Sequence, residues 1–192
     1  NIRVSTHVAS VADRERMAAL PEEVEQQHGA IHLLFNNAGV TINKSFAKHS
    51  LQDLEFVIGI NLWGVLYGCH YFLPYIQKQG EGHIINTSSM TGFLGFPNQS
   101  SYSLTKAAVK GFSETLNVEL AHCNIGVTSI HPGAIRTNIL NATMAHSGAD
   151  KDTQRMAALV ARFGRSPEYL AKKVLKAVKA NRMRVVIGPD AW

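Results

Sequence analysis

Short apolar runs alternate with longer helical patterns along this chain, and this alternation limits its fold more than any other feature. Residues 31–35, 83–87 and 126–130 have the length and composition of buried strands. Two long helical patterns, 51–79 and 101–123, follow the first two of these strands. Strands that alternate with helices in this way predict a parallel sheet with helices on both faces.

The last part of the chain continues the pattern after a polar, less regular segment at 138–165. Ser166 is the predicted N-cap of a helix that ends near Asn181, and residues 184–187 predict a final strand. No repeat, low-complexity segment or linker divides the sequence. We therefore expect a single domain over residues 1–192, of α/β class, with a doubly wound parallel sheet in three α/β/α layers.

The composition excludes several classes of protein. Hydrophobic residues are 45% and charged residues 17% of the chain, which is typical of a soluble globular domain. We expect no transmembrane helix, because no apolar run of about 18 residues lacks a polar interruption, and the first residues form no secretory signal. Cys69 and Cys123 match no metal-ligand spacing. Two such thiols favour a reducing, cytoplasmic setting.

A group of basic residues near the C-terminus contributes to the net charge of +5. The group consists of Lys172, Lys173, Lys176, Lys179, Arg182 and Arg184. On a helix, such a cluster is typical of a solvated face. Nucleic-acid binding is the alternative, but no binding motif or interleaved aromatic residues accompany the cluster. We therefore expect neither a nucleic-acid partner nor a membrane partner.

The residues that follow each predicted strand are the first candidates for a site, because ligands of parallel α/β sheets bind beyond the carboxyl ends of the strands. They are Asn36, Asn37, Ala38 and Gly39 after the first strand, Thr87, Ser88 and Ser89 after the second, and Pro132, Gly133 and Thr137 after the third. Glycine lets a ligand approach the backbone closely, and hydroxyl groups can bind a carbonyl oxygen. Each segment alone is equally typical of a plain turn.

Tyr102 and Lys106 lie four residues apart on a predicted helix and therefore share one face. A free tyrosine titrates near ~10 and is a poor acid or base at neutral pH. A neighbouring ammonium lowers the pKa of a phenol, because it stabilises the phenolate. The pair is thus a candidate general acid/base, and a surface pair on a helix is the alternative.

Asn61 lies in the otherwise apolar stretch 56–66. A buried amide without partners costs ~1–3 kcal/mol, so Asn61 must find hydrogen bonds. Two interpretations remain open, namely a structural lock to the backbone and a functional binder of water.

Together these motifs resemble the short-chain dehydrogenase/reductase family. The resemblance rests on Asn-Asn-Ala-Gly at 36–39, Asn61, Ser89, Tyr-x-x-x-Lys at 102–106, and Pro-Gly followed by Thr137, in this order. The thirteen-residue step from Ser89 to Tyr102 selects Ser89 over Ser88.

The resemblance implies a Rossmann-like fold and reversible hydride transfer between NAD or NADP and a carbonyl compound or secondary alcohol. Tyr102 would be the acid/base, and Lys106 would lower its pKa and bind the nicotinamide ribose. Ser89 would bind the substrate oxygen. Asn61 would hold a water that links Lys106 to solvent.

The resemblance also implies the surroundings of this centre. Asn37, Ala38 and Gly39 would line the adenine side of the cofactor cleft, and Pro132, Gly133 and Thr137 would cradle the nicotinamide amide and a phosphate. From the residues themselves, we expect 138–165 to form a lid over an apolar substrate, next to Phe93 and Phe96, and a disordered surface loop is the alternative. A homodimer or homotetramer would form through the long helices that carry Asn61 and Tyr102, and the apolar residues Trp63, Phe72 and Phe112 fit that expectation.

The chain departs from the family pattern at its start. It has no glycine-rich phosphate loop, and residues 2–6 resemble the family's third strand, with Ser10 where an acidic residue often contacts adenine. We therefore expect an N-terminally incomplete family member that lacks the first two strands, leaves residues 2–6 without regular ladder partners, and binds no dinucleotide in this form. A non-catalytic binding or assembly subunit of the same fold is the alternative function.

Overall fold

The computed structural model describes residues 2–147 and 151–188. The helices are α1 (Arg14–His28), α2 (Leu51–Ile58), α3 (Gly64–Gln77), α4 (Ser100–Leu120), α5 (Ile139–Ser147), α6 (Lys151–Phe163) and α7 (Pro167–Lys179). The strands are β1 (Leu33–Asn36), β2 (Gly82–Thr87), β3 (Ile125–Pro132) and β4 (Arg184–Ile187). A π-helical turn, Gly59–Trp63, joins α2 and α3.

The four strands form one parallel sheet in the order β1-β2-β3-β4. Their register places Asn36 beside Asn86 and Thr87 beside Ile130, so the carboxyl ends of neighbouring strands lie along one edge. The four strands predicted at 31–35, 83–87, 126–130 and 184–187 are present, with ends shifted by at most two residues. Residues 2–6 are not part of the sheet, as predicted.

The sheet is packed by helices on two sides, which confirms the predicted doubly wound parallel architecture. On one side, α1, α3 and α4 cover residues such as Ile84 and Val127. On the other side, α7 covers Ile85 and Ile130 through its Val174. Adjacent strand residues point to opposite faces, so Ile84 and Ile85 belong to different cores.

Helices bury one face of strand β1 and leave its other face half exposed. Leu34 is buried in the core with α1 and α3. Leu33 and Phe35 point the other way and are half exposed, at 51% and 48% of their maximum. This face of β1 therefore presents apolar side chains to solvent.

The segment 138–165 is not irregular, and the sequence prediction was wrong there. Helices α5 and α6 occupy most of it, while residues 148–150 lie outside the described residues. The polarity of α6 had suggested a loop, but its alanine, leucine, methionine and arginine residues are strong helix formers. The N-cap prediction at Ser166 is confirmed, because its hydroxyl accepts a hydrogen bond from Tyr169 N at 3.2 Å.

The continuous helix Leu51–Gln77 is long and apolar enough to cross a membrane, by length and composition alone. It has 27 residues and a mean hydropathy of 1.4 in its most apolar window. The expectation of no transmembrane helix stays a prediction, because core helices of soluble proteins can have the same length and composition. One side of this helix, including Val65, Phe72 and Ile76, packs into the core of the sheet. Only 39% of the window is buried, so much of its apolar surface remains uncovered.

A chain of buried polar side chains ties β1 and β2 to the helices above them. Asn36 Nδ2 donates to Asn86 Oδ1 at 2.8 Å, and Asn86 Nδ2 donates to Ser113 Oγ of α4 at 3.0 Å. Gly68 of α3 packs directly on Asn36, and a Cβ there would lie 3.0 Å from Asn36 Cγ and closer still to its Oδ1. Asn36 therefore keeps its position only because residue 68 has no side chain.

Two glycine-to-alanine substitutions in helices should change stability in opposite directions. Gly68→Ala should lower the free energy of unfolding by about 1–3 kcal/mol, because the methyl group displaces Asn36 and disturbs a buried hydrogen bond. Gly111→Ala is the matched control, since an added Cβ there meets no atom within 4 Å. It should raise the free energy of unfolding by about 1 kcal/mol through helix propensity. Urea unfolding followed by circular dichroism measures both, and equal stability of the two variants would contradict the packing described here.

Candidate active site

Three motifs that are distant in the sequence meet at the carboxyl edge of the sheet. A Cβ added to Gly39, just after β1, would lie 3.5 Å from both Asn61 Oδ1 and Lys106 Nζ. The absence of a side chain at Gly39 therefore leaves space beside the lysine ammonium. The structure brings Gly39, Asn61 and Lys106 together.

Lys106 is buried, with only 2% of its surface exposed. Its Nζ donates a hydrogen bond to the carbonyl oxygen of Thr87 at 2.7 Å. The same Nζ lies 5.5 Å from the centre of the Tyr102 ring. Burial lowers the pKa of Lys106 to about 8, because the ammonium loses its hydration.

The pKa of Tyr102 is raised above its ordinary value, which corrects the expectation that Lys106 would lower it. Burial of the phenol is the main cause, and a side-chain hydrogen bond with Ser89 acts in the opposite direction. Lys106 Nζ lies over the ring and bonds to Thr87 O. Tyr102 is therefore a protonated phenol at neutral pH, and in this state it is a hydrogen-bond donor.

The structure distinguishes the two serines that follow β2. Ser88 Oγ donates to the backbone oxygen of Lys106 at 2.7 Å and so holds α4 against the strand. Ser89 Oγ accepts from Thr91 N at 3.2 Å and pairs with the side chain of Tyr102. Only Ser89 is thus placed to share a ligand oxygen with Tyr102.

The side-chain contacts of Asn61 are those of a structural lock. Its Oδ1 accepts from Val40 N at 2.8 Å, and its Nδ2 donates to Val40 O at 2.8 Å and to Thr105 Oγ1 at 3.2 Å. Both amide donors are therefore engaged. Asn61 lies in the π-helical turn, a feature that is frequent at functional sites. Its role as a binder of water remains a prediction.

The first proposed cofactor segment lies at the surface of the same edge. Asn37 Oδ1 accepts a hydrogen bond from Thr87 Oγ1 at 3.1 Å, which links the ends of β1 and β2. Asn37 and Ala38 are exposed and Gly39 is half-buried. These three residues are accessible to a ligand that lies along the sheet edge.

The residues of the second proposed cofactor segment, Pro132, Gly133 and Thr137, lie in two different surroundings. Gly133 N donates to Ile187 O at 2.9 Å, so Pro132 and Gly133 extend the ladder between β3 and β4 before the chain turns away. Thr137 is exposed and lies farther along, in a cavity of about 290 Å³ formed with α6. The cavity is lined by Arg136, Thr137, Asn138, Leu140, Asn141, Ala157, Val160 and Ala161.

Sequence reasoning missed His131, which is fully buried at the end of β3. Its Nδ1 lies 3.1 Å from the backbone oxygen of Ser89, and its ring packs against Phe93 with 4.4 Å between ring centres. The sequence feature that could have identified His131 is its position directly before Pro132, at the end of a predicted strand. Within the described residues, no group of three or more histidine, cysteine, aspartate or glutamate side chains could hold a metal ion.

Known proteins of one family resemble this chain in sequence. A family model described as short chain dehydrogenase matches residues 1–148. SadH of Mycobacterium tuberculosis, whose name assigns it as an oxidoreductase, is 38% identical over 197 residues, which cover 98% of this chain and 69% of SadH. The 3-oxoacyl-acyl-carrier-protein reductase FabG of Thermotoga maritima is 35% identical over 173 residues, covering 90% of this chain and 69% of FabG.

Solved structures give the same result for the fold. A short chain dehydrogenase/reductase of Burkholderia phymatum in complex with NAD superposes with a TM-score of 0.84 and 27% identity. The match covers 92% of this chain and 68% of that one. A second solved structure, of a short-chain dehydrogenase from Novosphingobium aromaticivorans, also matches this chain. The match covers 60% of the length of that protein. The chain thus spans about two thirds of the length of the relatives it matches.

The burial of Lys106 predicts a specific dependence of stability on pH. Its folded pKa of about 8 is below its ordinary value of 10.5, so the unfolded chain holds more protons between these values. This lysine therefore stabilises the folded state progressively as pH rises through that window. The stability of Lys106→Met relative to the wild type should fall by up to roughly 3 kcal/mol between pH 8 and 10.5.

Urea unfolding of both proteins at pH 7.5 and pH 10 tests this prediction. The difference between the unfolding free energies of the two proteins does not contain the contribution of Cys69, because both proteins share it. The raised pKa of Cys69 lowers the stability of both as pH rises above 9. If the difference in unfolding free energy between wild type and Lys106→Met is the same at pH 7.5 and pH 10, the Lys106 ammonium is not buried.

Proposed function

The chain belongs to the short chain dehydrogenase family, and we propose that it acts by transferring hydride between NAD or NADP and a carbonyl compound or secondary alcohol. The observation that carries this proposal is the grouping of Tyr102, Ser89 and a buried Lys106 at the carboxyl edge of the sheet. The names of its relatives as oxidoreductases and as a reductase support the same class of reaction.

The proton step follows from the state of Tyr102. Its burial keeps the phenol protonated at neutral pH, so during reduction its hydroxyl donates a proton to the substrate oxygen. Ser89 binds the same oxygen and stabilises the charge that develops there. In the reverse direction, the Tyr102 phenolate removes the proton from the alcohol.

The residues present fit the nicotinamide end of a dinucleotide. Gly39 has no side chain beside Lys106 Nζ, so a sugar hydroxyl of the cofactor could approach the ammonium there and accept a hydrogen bond from it. Asn37, Ala38, Pro132, Gly133 and Thr137 lie along the path that the rest of the cofactor would follow. When bound, the nicotinamide supplies or accepts the hydride, and the protein supplies orientation and the proton.

We further propose that residues 138–165 form a lid over the substrate. Helices α5 and α6 dock on the segment after β1 through buried polar contacts. Thr143 Oγ1 donates to Thr41 O at 2.9 Å, and Asn43 Nδ2 donates to Thr153 Oγ1 at 2.8 Å. Phe93 and Phe96 are each 40% exposed near Ser89, which supports an apolar substrate.

A Tyr102→Phe substitution tests the proposed chemistry. It removes only the hydroxyl group, so in a protein that also carries the family's glycine-rich phosphate loop, turnover of NADH or NADPH with a panel of ketones should fall by about 10²–10⁴-fold while cofactor binding is retained. Tyr169→Phe is the matched control, because Tyr169 lies on α7 at the surface. Binding is measured by NADH fluorescence and turnover by absorbance.

Two outcomes would contradict the proposal. Tyr102→Phe turnover equal to that of Tyr169→Phe would exclude Tyr102 as the acid. Cofactor binding by the wild type without turnover of any carbonyl or alcohol would favour the alternative of a non-catalytic binding subunit.

The uncovered side of the long helix supports the proposal of a homodimer. It forms an apolar groove of about 580 Å³ lined by Arg14, Trp63, Leu66, Tyr67, Cys69, His70, Tyr71, Leu73, Phe112 and Leu116. Trp63, Tyr67 and Tyr71 are neighbours along one stripe of the helix, with ring centres 5.5 and 6.1 Å apart. Phe72, in contrast, is buried in the core and does not contribute to this surface.

A second copy of the chain is the occupant that fits this groove. Residues from both long helices, α3 and α4, line it, and the Arg14 and Tyr71 side chains at its rim are polar. Arg14 donates to the Tyr71 hydroxyl, and the hydrocarbon of a membrane would remove the hydration of its charge. The exposed basic residues between 172 and 184 lie elsewhere on the chain, on α7 and β4.

Disruption of this groove should produce a monomer. Tyr67→Glu places a charge in the apolar stripe and should halve the mass measured by sedimentation velocity. Leu175→Glu is the control, because Leu175 is an exposed leucine on α7, 50% accessible. Equal masses for wild type and Tyr67→Glu, with both folded, would contradict a dimer through this surface.

We propose a reducing, cytoplasmic location on the basis of the cysteines. Both are free thiols, and Cys69 is buried among apolar side chains and asparagine amides. Unpaired buried thiols are typical of reducing compartments.

A further inference from the structure

We propose that His131 is a positioning residue for Ser89. Its ring holds the Ser89 backbone carbonyl and thereby fixes the direction in which the Ser89 hydroxyl meets Tyr102. The expected effect on turnover rests on the proposed function. The contacts of His131 and the titration of Tyr102 do not.

The hydrogen bonds of His131 fix the tautomer of its ring. Nδ1 lies 3.1 Å from Ser89 O, and Nε2 lies 3.0 Å from Ser129 Oγ. A carbonyl oxygen only accepts, so Nδ1 carries the proton. In the neutral ring Nε2 is then the acceptor, and the Ser129 hydroxyl donates to it. One imidazole thus connects a buried residue of β3 to the loop that carries Ser89.

The other end of the Ser89 turn is held by the same ring. A single 3-10 turn, Met90–Gly92, separates Ser89 from Phe93, whose ring packs on His131. Lys110 and Arg184 lie over Phe93, each 5.5 Å from its centre, and both pair with Glu114. The turn between Ser89 and Phe93 is therefore fixed at both ends, and His131 contacts both.

His131 stays neutral at physiological pH. Burial lowers its pKa to about 4, because the imidazolium would lose its hydration. Arg184 and Lys110 contribute to this lowered pKa, while the Ser89 carbonyl and Glu114 act in the opposite direction. The Nδ1–H donor to Ser89 is therefore constant across the range in which an oxidoreductase would work.

The effect of the Ser89 side chain on the pKa of Tyr102 makes the role of His131 measurable. The Ser89 side chain is the group whose hydrogen bond opposes the effect of burial on Tyr102. If Ser89 loses its fixed direction, this hydrogen bond weakens and the pKa of Tyr102 rises further. A residue that only filled space under the loop would not produce this change.

Two isosteric substitutions separate the hydrogen bond from the packing. In His131→Asn, the side-chain amide occupies the position of Nδ1 and can still donate to Ser89 O. In His131→Gln, the amide reaches the position of Nε2 and leaves the Ser89 carbonyl without its donor. Incorporation of 3-fluorotyrosine, whose phenol is more acidic, allows each tyrosine to be titrated by 19F NMR. Tyr102→Phe identifies the Tyr102 signal.

We expect His131→Gln to raise the pKa of Tyr102 by about one unit and His131→Asn to leave it within a few tenths of the wild-type value. Equal shifts in the two variants, or no shift in either, would overturn the proposal, provided that both have the thermal stability of the wild type. If His131→Gln does not fold, the wild type still decides the question. 15N NMR of labelled histidine must then show the proton on Nδ1, and a proton on Nε2 would overturn the proposal.

Turnover separates this proposal from the proposed function. His131→Gln should lower kcat about tenfold with an unchanged KM for the cofactor, and His131→Asn should restore it. Absence of turnover in every protein, wild type included, would count against the oxidoreductase proposal alone, because the titration of Tyr102 does not depend on catalysis.

Discussion

The burial of the Lys106 ammonium is the constraint on which the rest of the site depends. Removal of a charged amine from water is costly, and here its Nζ regains a hydrogen bond to the last carbonyl of β2, Thr87 O. That contact fixes α4 against the end of the strand. Gly39 lies beside it, since a Cβ added there would come into van der Waals contact with the same nitrogen at 3.5 Å. The site therefore has its shape before any ligand is present.

Short polar side chains hold the strand ends in place around this lysine. Asn61 bonds to both backbone groups of Val40, Ser88 bonds to the backbone of Lys106, and Asn36 bonds to Asn86. Such contacts are directional, whereas apolar packing tolerates small shifts. They explain how residues on separate loops can keep a fixed relative geometry. This kind of preorganisation is the main source of catalytic power in many enzymes.

The sequence predicted the local elements well, because strands and helices follow from periodicity over a few residues. The strand at 83–87 and the N-cap at Ser166 are examples. The sequence failed at 138–165, where polarity suggested a loop and helix-forming residues built α5 and α6. It also gave the wrong direction for the pKa of Tyr102, since that direction depends on burial, which no local pattern reports.

The sequence by itself determined the family, because the order and spacing of short motifs are properties of the chain. It could not determine which partner each residue has. Tertiary structure decided that Asn61 locks Val40, that Lys106 bonds to Thr87, and that His131 lies under Ser89. The physical reason is that desolvation and hydrogen bonding depend on atoms brought together from separate strands and helices, and this proximity exists only in the folded protein.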